Sequence, residues 1–116
     1  MDTSILLNQT DLDIRRSLRQ LISQKYGRMF YPYVLLSAAD DIKSIYMSAF
    51  RTYLRDFSPR LAEKIHFAAI NMVYMIQTFL DINKSATFSQ VLEVVNKFLT
   101  FQMEDYYTWS ADLNVV

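Results

Sequence analysis

Apolar residues recur along the chain at intervals of three and four, in four separate blocks, and each block reads as an amphipathic helix. In the first, Ile14, Leu18, Leu21 and Ile22 form one stripe, with Arg15, Arg16 and Arg19 beside it. Thr10 and Asp13 have the spacing of a capping box with Asp in place of Glu, so this helix is predicted over about 11–26, with Gly27 just beyond its end. Residues 1–9 read as a short lead whose Ile5, Leu6 and Leu7 dock on the core.

The second block carries Ile42, Tyr46, Ala49, Phe50, Tyr53 and Phe57, widened by Ile45, Met47 and Leu54, and predicts a helix over 38–57 facing two neighbours. Before it, Met29–Leu36 contains Pro32 and is either a buried connector or an earlier first turn opening at that proline. Ser37 with Asp40 offers the later start, which would put Asp40 and Asp41 in the first turn, where carboxylates complement the helix dipole.

Ser58-Pro59 is the sharpest boundary: a Ser N-cap and a proline at N1, whose missing N–H has no partner in a helix anyway. The helix predicted over 59–82 has Leu61, Ile65, Ala69, Met72, Ile76 and Phe79 as its main face. Its stretch from Ile65 to Leu80 holds no charged residue, so it is read as the central helix. The link back to the second helix looks nearly absent, which makes the two antiparallel neighbours. Residues 83–86 form a loop, and Thr87 with Gln90 makes another capping box. A fourth helix follows over 88–108, with Phe88, Val91, Leu92, Val95, Leu99, Gln102 and Tyr106 on one stripe, and ADLNVV left as a tail. The expected fold is all-α: a single domain, residues 1–116, forming a mainly antiparallel four-helix bundle. An irregular orthogonal helical array is the alternative.

Composition narrows the chemistry. The 116 residues include no cysteine, which removes disulfides, thiolate nucleophiles and cysteine-ligated metals together. One glycine and two prolines leave no glycine-rich phosphate loop and argue against a many-turned sheet protein. The formal charge is zero, which argues against a general nucleic-acid or membrane-surface binder. Arg15, Arg16, Arg19, Lys25 and Arg28, followed by Tyr26, Phe30, Tyr31 and Tyr33, could track a nucleic-acid backbone, but a solvated helix face explains them more simply. The N-terminus lacks a signal-peptide pattern, and the uncharged run in the third helix is shorter than the ~20 residues of a bilayer span. The expected setting is the cytoplasm, or the host cytoplasm for a viral protein, with no membrane partner.

Candidate catalytic residues are few. His66 is the only histidine, and Glu63 precedes it by three; that is half of a carboxylate-bridged di-metal pattern, which one histidine cannot complete. The alternative function is a helical bundle binding an apolar or planar small ligand, haem or lipid, near His66 in a pocket of Phe67, Met72, Tyr74 and Met75, although these types at helical spacing suit an ordinary core. No catalytic residue, cofactor or metal ligand is therefore expected, and the chain is not read as an enzyme. The most informative feature is a surplus: the chain is 52% hydrophobic and 15% aromatic, above the ordinary range for so small a bundle. After each helix buries one face, Phe67, Ile70 and Tyr74 on the third helix and Val94, Phe98 and Phe101 on the fourth remain. They predict a protein interface, with a second copy or another protein as the partner, and hence an interaction or regulatory module.

Overall fold

The computed structural model describes residues 3–25, 32–56, 58–109 and 114–115. Helices α1 (Thr3–Lys25), α2 (Pro32–Arg51), α3 (Pro59–Ile82) and α4 (Phe88–Thr108) make a four-helix bundle 43 Å long and about 22 Å across. They form a ring in which α1 packs on α2 and α4, and α3 packs on the same two, leaving α1 opposite α3. Neighbours along the seams run in opposite directions: Lys25 at the end of α1 meets Asp41 of α2, while the earlier Asp13 and Ser17 line a groove with the later Ser48 of α2 and Thr52 beyond it, and the short link 83–87 folds α4 back along α3. The bundle is antiparallel.

The boundaries of α3 and α4 fall where the sequence puts them, and their caps show why. Ser58 sits in an extended conformation and its hydroxyl accepts from the Leu61 N–H at 3.1 Å, ahead of Pro59 at the first helical position. At the start of α4 the capping box closes both ways: the Thr87 N–H donates to Gln90 Oε1 at 2.8 Å, and the Gln90 N–H donates to Thr87 Oγ1 at 3.2 Å. At the end of α3, the Asn83 backbone N–H and side-chain amide both donate to the Phe79 carbonyl, satisfying one of the last free acceptors.

The first half departs from the sequence reading in four ways. Helix α1 begins at Thr3, because Leu6, Leu7, Thr10 and Asp11 extend the Ile14–Leu18–Ile22 stripe backwards and are all buried. Thr10 is thus not a cap: its hydroxyl lies inside the bundle with no hydrogen-bond partner among the described residues. Helix α2 opens at Pro32, so Asp40 and Asp41 lie in its third turn rather than its first, and Asp41 meets Lys25 at 3.2 Å. It also stops at Arg51, well before 57. A turn at Thr52 and Tyr53 leads into the short strand β1 (Leu54–Asp56), which pairs antiparallel with β2 (Asn114–Val115). The expected tail therefore returns to the bundle end, and the link from α2 to α3 is longer than read. Gly27, Phe57 and the aromatic side chains of 26–33 lie outside the described residues.

The core runs the full length of the ring. Helix α3 contributes Leu61, Ile65, Ala68, Ala69, Met72, Val73, Ile76 and Leu80, more than a single face because it meets both α2 and α4. Its remaining side is open, so it occupies a corner of the bundle and is not enclosed by the others. By length and composition only, α3 could cross a membrane; here 39% of its most apolar window is buried against the other helices.

Met72 and Ile76 are sealed in this core. Met72→Asp and Ile76→Asp are each expected to unfold the chain, since an unpaired buried carboxylate costs several kcal/mol against a total of about 5–15 kcal/mol. Circular dichroism and thermal melting check this. A variant with full helicity and unchanged melting would remove these positions from the core.

Candidate interaction surface

The interior of the ring holds a polar cluster within the apolar stripes. Gln102, on the core face of α4, accepts at Oε1 from the Tyr46 hydroxyl of α2 at 2.6 Å and from the Tyr106 hydroxyl at 3.0 Å. Its amide donates to the Ala68 carbonyl of α3 at 3.2 Å. One side chain thus ties three helices together. Burial pushes both phenols above their ordinary range, the neutral form being the one the apolar surroundings tolerate. Phe50 meets the Tyr106 ring edge-on at 5.5 Å, and Trp109 packs on both.

A second polar group fastens α1. Asp11, buried, accepts from Arg15 Nε at 2.7 Å, and the guanidinium then donates to the Asn96 carbonyl and amide oxygen and to Thr100 Oγ1. Arg15, read as part of a solvated face, is the clamp between α1 and α4. Arg16 keeps to the surface, 3.7 Å from Asp13. These contacts are structural. The phenols and the carboxylate are occupied or enclosed, and no group of three His, Asp or Glu placed to hold a metal occurs among the described residues.

The outside of the bundle is different. Among the large hydrophobic residues left in solvent, Phe67 (56% exposed), Tyr74 (64%) and Phe101 (69%) are the aromatic ones. They belong to one side of the molecule. Lys64, Phe67 and Asn71 from α3 and Asp105 from α4 form the rims of a groove of about 210 Å³, whose floor is Ala68, Gln102, Tyr106 and Trp109. Tyr74 lies seven residues after Phe67 on α3, and Phe101 lies four before Asp105 on α4, so each shares the helix side of a rim residue without itself lining the groove. Of the remaining sequence candidates, Ile70 and Val94 are half-buried, and Phe98 is half-buried against the core. Of the six, three are solvent-facing aromatics and three are partly covered.

His66 lies on the other flank of α3, half-buried, its ring 5.8 Å from that of Phe67. The side chains considered around it do not converge: Met72 is in the core, while Phe67 and Tyr74 point outward. Glu63 is exposed. Compared with protein-family models, characterised proteins and solved structures, the chain matches none.

The buried cluster was not anticipated from the sequence, although Gln102 in an otherwise apolar stripe was its visible sign. Gln102→Leu strands the Tyr46 and Tyr106 hydroxyls, and is expected to cost about 2 kcal/mol or more; Tyr46→Phe is expected to cost about 1 kcal/mol. Because the folded phenols titrate above the unfolded value of ~10, their contribution is fully present below pH ~10 and is lost as pH rises through the folded values. Urea midpoints between pH ~9 and ~11 should therefore fall, and fall less steeply in Tyr46→Phe. Equal slopes in the two proteins would separate Tyr46 from the alkaline loss.

Proposed function

We propose that the protein is a non-enzymatic protein–protein interaction module that self-associates through the α3/α4 side. The observation that carries this reading is the exposure of Phe67, Tyr74 and Phe101, each more than half in solvent: Phe67 lines a groove between α3 and α4, and Tyr74 and Phe101 follow on the same two helices at spacings of seven and four from its rim residues. Aromatic side chains are enriched at the centres of protein interfaces, where they contribute large contact area with little conformational freedom to lose. Scattered exposed hydrophobics carry no such implication, but aromatics grouped on adjoining helices do. The half-buried Ile70, Val94 and Phe98 add further partly exposed apolar surface on the same two helices. A regulatory, adaptor or inhibitory role in the cytoplasm fits a module whose polar interior groups are engaged in holding the bundle together.

Phe67→Ser combined with Tyr74→Ser is expected to convert a self-associated species to monomer with the helical signal retained, since both rings are already largely outside the core. Static light scattering reads the mass and circular dichroism the fold. Loss of fold would place these rings in the core, and an unchanged mass would show that this side makes no contact; either outcome defeats the proposal.

A further inference from the structure

Four exposed residues of α3 stand one above another at intervals of seven: Arg60, Phe67, Tyr74 and Asp81. A seven-residue interval keeps side chains on nearly one line along a helix, the spacing by which paired helices meet. The line has a polarity that reverses on itself. It begins with a cation, passes through two aromatics and ends with an anion, and its midpoint falls between Ile70 and Asn71. Turning the helix end for end about that midpoint exchanges Arg60 with Asp81, Phe67 with Tyr74 and Ile70 with Asn71. Such a pattern complements a copy of itself running antiparallel.

The neighbouring helix fits the same symmetry. The bond from the Gln102 amide to the Ala68 carbonyl sets the register of α4 against α3, and with antiparallel helices it places Phe101 level with the 69–72 stretch, at the midpoint of the line. A two-fold axis crossing the face there would bring the Phe101 rings of two copies opposite each other. The three exposed aromatics of this side are thus arranged about a single axis, two related by it and one close to it.

We infer that this chain forms an isologous homodimer in which the α3 helices of two copies pack antiparallel about a two-fold axis near Ile70 and Asn71. Phe67 of each copy lies on Tyr74 of the other, and Arg60 of each meets Asp81 of the other at both ends of the contact. This rests on the self-association proposed above and specifies its geometry. Arg60 already interacts within its own chain, and a guanidinium with five N–H donors can serve more than one partner, so the contact with Asp81 is proposed in addition to that interaction. The bundle is 43 Å long and about 22 Å across, so one two-helix side offers an area on the order of the ~800 Å² per partner of a standard interface. The end pairs set direction and register, because a parallel arrangement would place like charges together.

Charge reversal tests this arrangement. Arg60→Asp alone makes both ends of the contact acid against acid, and Asp81→Arg alone makes both basic against basic; each is expected to raise the dimer dissociation constant about tenfold or more at low salt. Mixed in equal amounts, the two variants restore opposite charges at both ends, and the mixture is expected to regain wild-type affinity within about threefold, as a heterodimer resolved by native mass spectrometry. Both substitutions lie on exposed positions, and circular dichroism verifies the fold. Single variants that dimerise as tightly as the wild type, or a mixture no tighter than either variant alone, would overturn the two-fold arrangement. If Phe67→Ser with Tyr74→Ser still abolishes the dimer in that case, the face self-associates in another geometry and the proposed function stands. A wild-type chain that stays monomeric overturns both.

Discussion

The bundle depends on a three-way hydrogen bond at its centre. Gln102 joins α2, α3 and α4 through Tyr46, Ala68 and Tyr106 within a few ångströms, and no apolar side chain could do so with the same directionality. Apolar packing alone tolerates sliding, because many arrangements of Leu, Ile and Val bury similar area. Buried polar groups do not tolerate it, since a shift of one residue would leave phenols and an amide unpaired in a dry interior. Arg15 does for α1 what Gln102 does for the other three, linking a buried Asp11 to Asn96 and Thr100 on α4. Together they set the register of the ring, and the register decides which side chains remain outside.

That outcome explains the surplus of aromatic residues. A helix at the corner of a four-membered ring meets two neighbours, and its outer side has nothing to cover it. In α3 the outer side carries Phe67 and Tyr74 where a solvated helix would carry charge, and the adjacent α4 carries Phe101. The core is apolar apart from a few buried polar groups, and it takes in Tyr46, Phe50, Tyr106 and Trp109, so the aromatics left outside stand out against it. The proposed dimer accounts for them by covering them with a second copy, and the ordering of charge along α3 motivates its proposed direction.

Helix α3 divides its surface between core and solvent. By length and composition only it could cross a bilayer, and in the bundle its residues divide into a buried stripe shared with α2 and α4 and a narrower exposed line with a charge near each end of the helix.

Much of the architecture was legible in the sequence because it is local. Ser58-Pro59 and the Thr87/Gln90 box act within one helical turn, so the bounds of α3 and α4 follow from a few adjacent residues, and the spacing of apolar positions identifies the faces that meet. The exposure of Phe67, Tyr74 and Phe101 follows for the same reason, as apolar positions off the main stripes, whereas Ile70, Val94 and Phe98 are half-buried. What sequence could not determine is what depends on another segment of the chain. Thr10 and Asp13 have the spacing of a cap, yet Leu6 and Leu7 find buried places and carry the helix through them. Tyr53 and Leu54 continue the α2 stripe, yet β1 pairs with β2 from the far end of the chain. Gln102 is a polar residue in an apolar row until Tyr46, Ala68 and Tyr106 are brought to it. How far each aromatic is covered is likewise completed by tertiary packing: Phe98, nearer the core stripe of α4, is half-buried, and Phe101, about 60° further round the same helix, is exposed.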